Sequence, residues 1–453
     1  MAQAGQCRTR GRLTQPQALR CARHTGFRQQ RIQGFEQIEI KGDDIHSTDS
    51  EYIRHLFEGY RRSPHLDSRC FCLPIPVGFS MSESVHPSVV PLFQPLSIGR
   101  MQLPNRIVMA PMTRQRSPGG VPGQAVVDYY RRRAEGGVGL VITEGSYIDH
   151  AGANAFADGP DFFGESALAG WRRVVEAVHG VGGRIAAQLW HCGPERRPGM
   201  PHDPAVPGFG PVEIRDARGK LLVKAMTMDD IADVVASYAR AAAHAESLGF
   251  DGVEIHAAHE FLFDTFLWAR SNTRTDAYGG TLEKRLRLTL EVVQAVRQAV
   301  SADFPVLLRF SQFKRSDYAA RIAETPDELG RLLKPLAEAG VDAFHASTRR
   351  FGEPAFDGSP LSLAGWARQL TGKPAIAVGS IGLHGDVGEA AGAESSTPAD
   401  LQGVVEQLAH SEFDLIAVGR ALLADPGWAS KVRQGRFDEL RGYDAAILDR
   451  TLF

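Results

Sequence analysis

The chain reads as an α/β protein, a (β/α)8 TIM barrel that forms a single catalytic domain behind an N-terminal extension. Three observations predict it. From Val89 onward, eight short apolar runs alternate with longer amphipathic stretches. The runs scarcely alternate between apolar and polar residues, as strands covered on both faces should. Polar residues and glycines gather directly after the runs, at the carboxyl ends where such barrels place their chemistry. A doubly wound sheet is the competing architecture, but no G-x-G-x-x-G follows any run.

In chain order the predicted strands are Ile107 to Ala110, Leu140 to Thr143, Arg184 to Leu189, Gly252 to Ile255, Val306 to Arg309, Ala343 to His345, Ala375 to Val378 and Leu415 to Val418. The clearest helix lies between the third and fourth. Thr227 with Asp230 three residues on has capping-box spacing, and Ile231, Val234, Val235, Tyr238, Ala242, Ala245 and Leu248 recur on one face before Gly249 ends the helix. After the seventh strand, residues 385 to 400 form a small-residue, turn-rich insertion, a lid or a slack loop.

The beginning of the chain differs from the rest. Residues 1 to 80 hold 12 Lys and Arg, 11 of them Arg, against 8 Asp and Glu; the remainder holds 39 against 45. Apolar residues there keep no long period, and there is no apolar core for secretion. The first 35 residues are Arg-rich and acid-free but also lack serine, which argues against an organelle transit peptide. We therefore expect residues 1–87 to be an extension, disordered or foreign to the native protein, with Met81 the true start, and residues 88–453 to be the barrel.

Composition narrows the function classes. Hydrophobic content of 43% and charged content of 23% suit a globular protein with a sizeable core. A formal charge of -2 gives no electrostatic basis for binding nucleic acid or an anionic membrane. No apolar run approaches the ~20 residues needed to span a bilayer. The expectations are a small-molecule substrate and a cytoplasmic location, with a homo-oligomer left open. Of five cysteines, Cys7, Cys21, Cys70 and Cys72 precede Met81 and only Cys192 follows, so neither a disulfide framework nor a cysteine metal site is expected.

The strand ends carry the candidate chemistry. Gly379-Ser380 and Gly419-Arg420 follow the last two strands, where glycine lets backbone N–H groups approach a phosphate and Arg420 adds a bidentate cation; plain tight turns with a surface ion pair are the alternative. Gln188 and Arg309 close two other strands, and a planar heterocycle with carbonyls and ring nitrogens would satisfy both, unless neighbouring loops do so. His256 and His259 lie just past the fourth strand, where two imidazole donors can converge on one substrate oxygen. Zinc is the rival reading, and its third ligand would have to come from His191, His345 or Glu260.

Five stretches, "PLFQPLSIGRMQLPNRIVMAPMTRQRS", "YYRRRAEGGVGLVITEGSYI", "AAQLWHCG", "DGVEIHAAHEFLFDTFLWARSNTRTDAYGG" and "IAVGRALLADPGW", run in order from about Pro91 to Trp428. Together they closely resemble the Old Yellow Enzyme family of FMN-dependent, NAD(P)H-driven ene-reductases. The resemblance implies noncovalent FMN, NADPH or NADH as reductant, and reductant and substrate taking turns over one flavin face. It places Pro111, Met112 and Thr113 at the flavin edge, with the Thr113 hydroxyl tuning the flavin. It puts Gly145 and Gln188 at the pyrimidine side, Arg309 at N1, and Gly379, Ser380, Gly419 and Arg420 on the phosphate. His256 and His259 would hydrogen-bond the carbonyl or nitro oxygen of the substrate. One position departs from the pattern: the family usually has a proton-donating tyrosine where Phe261 stands, preceded by Glu260 where glycine is common. Water, Glu260, Tyr278 or His191 would have to supply that proton, or the reaction does without it. The resemblance thus implies reduction of activated C=C bonds or nitro compounds. The alternatives are a flavin-dependent isomerisation or substrate oxidation, a flavin-free phosphate-binding barrel enzyme, and a barrel that binds without turnover.

Overall fold

The computed structural model describes residues 84 to 385, 395 to 448 and 452, and the backbone of residues 27 to 32 and 35 to 40. All eight predicted runs are strands: β1 (Ile107–Met109), β2 (Leu140–Ile142), β3 (Ile185–Trp190), β4 (Gly252–Ala257), β5 (Val306–Ser311), β6 (Ala343–Ser347), β7 (Ala375–Val378) and β8 (Leu415–Val418). Each pairs in parallel with the next, β8 pairs with β1, and β3 pairs with β4, so the sheet closes into a (β/α)8 barrel.

Helices cover the outside. Thr227 and Asp230 complete both halves of the capping box, starting the helix Met228–Leu248, and Gly249 ends it in the left-handed region at φ 89°. Its face is nearly as predicted, except that Val235 sits at the edge of the packed stripe and Ser237 and Ala241 complete the buried part. Outward-facing Val253, Ile255, Val306 and Leu308 are buried under this layer.

Because strand side chains alternate, the other parity fills the barrel axis. Val108, Leu140, Ala186, Leu307, Ala343, Ile376 and Leu415 form a separate apolar core there, together with Ile98, Met101 and Leu103. Those last three belong to an antiparallel hairpin, Leu96–Ile98 with Met101–Leu103, and Arg100 N–H donates to the carbonyl of Asp303 just before β5. The hairpin therefore closes the amino end of the barrel, and the opposite rim is left to carry the chemistry.

The chain divides into two units, Met1–Ser82 and Glu83–Phe453. In the first, Phe27–Ile32 pairs antiparallel with Phe35–Ile40. Met81 and the rest of that unit lie outside the described residues, as do residues 386 to 394 of the insertion. Among the described residues, no helix is long and apolar enough to cross a membrane.

Candidate active site at the carboxyl rim

One step up the axis from the apolar layer, the same inward parity brings polar groups together. Gln188 stands in register with Glu254, and His256 with Arg309, which in turn is in register with His345. The fully buried Glu254 accepts from Gln188 Nε2 at 2.7 Å and pairs with His345 Nδ1 at 2.7 Å. Arg309, also buried, donates from Nη2 to Ser347 Oγ at 3.3 Å, while its Nε and the Nε2 of His345 are buried with no partner. Burial lowers the pKa of both Arg309 and His345, against the charge of Glu254. An unmatched donor at Arg309 and an unmatched acceptor at His345, whose Nδ1–H is given to Glu254, are costly at such a rim unless a ligand takes them up.

The histidine pair sits on this layer. The rings of His256 and His259 meet edge to face at 5.2 Å. His256 is buried and stacks on Trp190 at 5.9 Å, and its Nδ1 accepts from the backbone N–H of Ala258 at 3.4 Å. His259 lies in the left-handed region (φ 64°), followed by Glu260 in the same conformation (φ 59°). Its Nε2 is 2.8 Å from Ser347 Oγ. Burial first, then the Arg309 charge, holds both imidazoles well below their usual pKa, so each is neutral at pH 7.

Phe261 packs edge-on against Trp190 (4.7 Å) and His256 (5.1 Å), and the Arg315 guanidinium lies 4.7 Å from its ring centre. Arg315 is fixed by Glu195 at 2.5 Å and by the His259 carbonyl at 3.1 Å. The three side chains considered as substitute acids are all engaged elsewhere. Glu260 accepts from the N–H and hydroxyl of Ser316, and Tyr278 donates to Glu291 on an outer helix. His191 accepts from Gly193 N–H and contacts His150 at 2.9 Å. Of the candidate third zinc ligands, His191 and Glu260 are held in these contacts and His345 pairs through Nδ1 with Glu254, and among the described residues no group of three or more His, Cys, Asp or Glu side chains is placed to hold a metal ion.

After β1, Pro111 is buried, Met112 half-buried and Thr113 exposed. The loop is anchored by Glu144, which follows β2: its buried carboxylate accepts from the N–H groups of Arg114 (2.8 Å) and Gln115 (3.1 Å), directly after Thr113. Gly145 is obligatory, because a Cβ there would come within 2.5 Å of the Trp190 indole. Burial raises the Glu144 pKa from 4.5 to about 7. The folded chain thus holds this proton more tightly than the unfolded one, so stability falls as pH rises from about 4.5 to about 7 and levels off above. Relative to Glu144→Gln, the wild type loses on the order of 3 kcal/mol across that window. Thermal melts of both proteins from pH 4.5 to 8 check this; parallel curves would contradict it.

At the ends of β7 and β8, Gly379 (φ 143°) packs so closely on the backbone of Thr348 to Arg350 that a Cβ would lie 2.7 Å from the Thr348 carbonyl. Ser380 takes φ 51°. Gly419 begins the short helix Arg420–Ala424 and faces the Met112 sulfur. Arg420 donates to Ser380 Oγ (3.3 Å), Ser396 Oγ (3.1 Å) and the Gly385 carbonyl (3.0 Å), and its guanidinium lies 5.7 Å from the Tyr443 ring. Sequence reasoning missed Ser396 and Tyr443, which pair through their backbones. It also missed the Glu254–His345 pair, although the parity of β4 and β6 puts both side chains on the inner face.

The rim thus sets two hydrogen-bonded groups side by side, Gln188–Glu254–His345 and Arg309–Ser347–His259, with His256 in register with Arg309, and gathers Gly379, Ser380 and Arg420 in a further cluster. A flavin mononucleotide fits both: the unpartnered Arg309 N–H, a donor, and the bare His345 Nε2, an acceptor, suit the carbonyls, nitrogens and ring N–H of its isoalloxazine, and the glycine turn with Arg420 suits its phosphate. A cavity of about 470 Å³ opens on the outer side of the histidine loop, lined in part by Glu195, Arg197, Glu260 and Arg315.

The chain is similar in sequence and fold to known proteins. The model of the NADH:flavin oxidoreductase / NADH oxidase family matches residues 91–439. Flavin oxidoreductase hxnT of Emericella nidulans is 35% identical over 370 residues, covering 78% of this chain and 92% of that protein. An NADH oxidase of Thermoanaerobacter brockii is 33% identical over 361 residues, covering 77% of this chain, which spans about half (52%) of the oxidase's length. Among solved structures, morphinone reductase in complex with tetrahydroNAD superposes with a TM-score of 0.65 at 30% identity, covering 79% of this chain and 93% of that one.

Proposed function

Because the chain belongs to the NADH:flavin oxidoreductase / NADH oxidase family, the Old Yellow Enzyme family of FMN-dependent oxidoreductases, we propose that it uses NADPH or NADH to reduce activated C=C bonds of α,β-unsaturated carbonyl compounds, or nitro groups. The observation that carries this reading is the pair of neutral imidazoles, His256 and His259, meeting at 5.2 Å above the buried Arg309.

Pro111, Met112, Thr113, Gly145, Gln188 and Arg309 would hold the flavin ring, and Gly379, Ser380, Gly419 and Arg420 its phosphate. FMN held there would supply two-electron transfer between the nicotinamide and the acceptor. His256 and His259 donate hydrogen bonds to the substrate oxygen, drawing electron density away from the carbon that is reduced. As neutral donors they keep this role as pH varies, and Thr113, at the exposed end of the Glu144-anchored loop, would tune the ring through its hydroxyl. Trp190 and Phe261 give the site an apolar wall beside His256.

Phe261 has no proton to give, and Glu260, Tyr278 and His191 are engaged elsewhere. Solvent water therefore protonates the second carbon of an enone, a slow step, and the site is better matched to acceptors such as nitro groups that take protons directly from water. Phe261→Tyr should speed enone reduction severalfold or more, since a positioned acid contributes about 10² to 10⁴ in rate. Arg315 beside the ring would favour the phenolate and so make the new hydroxyl a stronger acid. Steady-state rates on an enone and a nitroalkene check this; an unchanged enone rate would show that proton delivery is not limiting.

The overall reading is tested by purifying the protein and titrating it anaerobically with NADPH or NADH. Yellow protein that bleaches, and recovers its colour with an enone or nitroalkene, supports it; colourless protein that refuses added FMN overturns it.

A further inference from the structure

The hydrogen bonds around the two histidines decide which nitrogen of each ring carries its proton. For His256 the answer is direct. The Ala258 backbone N–H can only donate, so the Nδ1 it reaches is bare and the proton sits on Nε2.

For His259 the answer passes through Ser347. Its hydroxyl oxygen lies 2.8 Å from His259 Nε2 and 3.3 Å from Arg309 Nη2. The guanidinium can only donate, so it occupies one lone pair of the hydroxyl. The hydroxyl then has one proton of its own to place, and His259 Nε2 is the acceptor described within reach. The reverse arrangement, with Nε2–H donating to Ser347, would leave the buried hydroxyl proton without an acceptor. It would also turn a bare Nδ1 lone pair on any substrate oxygen.

We infer that Ser347 is a positioning residue that locks His259 in the Nδ1–H tautomer, so that the pair offers two donors, Nε2–H of His256 and Nδ1–H of His259. The inference rests on the reading of the pair as the clamp on the substrate oxygen. Other contacts to His259 hold its backbone: its N–H donates to Ser311 Oγ at 3.1 Å, and Arg315 donates to its carbonyl at 3.1 Å. They leave the choice of tautomer to Ser347. Arg309 thereby acts on both halves of the site, presenting its remaining N–H groups on one side and ordering the Ser347 hydroxyl on the other.

Long-range proton–nitrogen spectra of the holoenzyme labelled with ¹⁵N-histidine read the tautomers, with the His259 signals identified by their loss in His259→Gln. The wild type should show His259 protonated at Nδ1. Ser347→Ala should lose that preference and bind cyclohexanone, a saturated ketone, about tenfold more weakly, the worth of one hydrogen bond, with FMN affinity unchanged. Ser347→Thr, which keeps the hydroxyl, should restore both. A wild-type His259 protonated at Nε2, or a Ser347→Ala protein with unaltered tautomer and ketone affinity, overturns the inference. The spectra report ring protons with or without flavin, so a protein that fails to bind FMN would defeat the functional reading and leave this assignment to be judged by the spectra alone.

Discussion

His256→Ala should lower kcat/KM for enone and nitroalkene reduction by about 10² to 10³, the usual cost of removing one donor from a preorganised oxyanion site. The effect is large because the ring is buried, stacked on Trp190 and held in one tautomer by the Ala258 N–H. No other described side chain is placed to replace its donor: His191 turns to His150 and His345 to Glu254. FMN content should be preserved, because Arg309 and Arg420 keep their partners. Steady-state kinetics with flavin quantified by absorbance separate the two quantities. A loss under tenfold, or a loss matched by lost flavin, would mean that His256 does not hold the substrate oxygen.

Asp264→Ala should cost about 3 to 5 kcal/mol of stability. Asp264 and Lys314 form an ion pair at 2.7 Å in which neither side chain is exposed. Removing the carboxylate strands the Lys314 ammonium, left with the neutral Gln312 carbonyl at 3.2 Å and the face of the Trp268 ring at 5.7 Å. Removing both charges with Asp264→Leu/Lys314→Met should restore most of the stability, since apolar pairs of similar volume usually substitute well for buried ion pairs. Activity should stay low in the double variant. Asp264 also accepts the Glu260 N–H at 2.6 Å, which helps hold His259 and Glu260 in their left-handed conformations. Urea unfolding and kcat/KM on the two variants test both halves. A single variant within 1 kcal/mol of wild type would show that the pair contributes little.

Much of this was legible in the sequence, because local patterns carry it. A run such as Val306 to Arg309, apolar and bounded by turns, locates a strand to within two residues, and Thr227 with Asp230 locates a helix start. The strand-end rule placed His256, Arg309 and Arg420 on the rim because a closed parallel sheet leaves its polar residues nowhere else to go. The hairpin at Leu96–Leu103 went unread, since three-residue strands give no periodicity. So did the three-stranded excursion of Gly208–Gly210, Ile214–Arg215 and Leu221–Ala225, which departs from the barrel repeat. The contacts that distinguish this site are long-range: Arg315 meets Glu195 across 120 positions and Ser347 meets His259 across 88, and one sequence alone gives no signal of such pairing.

The hairpin that stoppers the amino end has a consequence for traffic. With the axis filled by apolar side chains and the hairpin beneath them, the pair of histidines can be reached only across one threshold, the carboxyl rim. On the proposed reading, an electron donor and an acceptor would both need that threshold, and each, in excess, should obstruct the other.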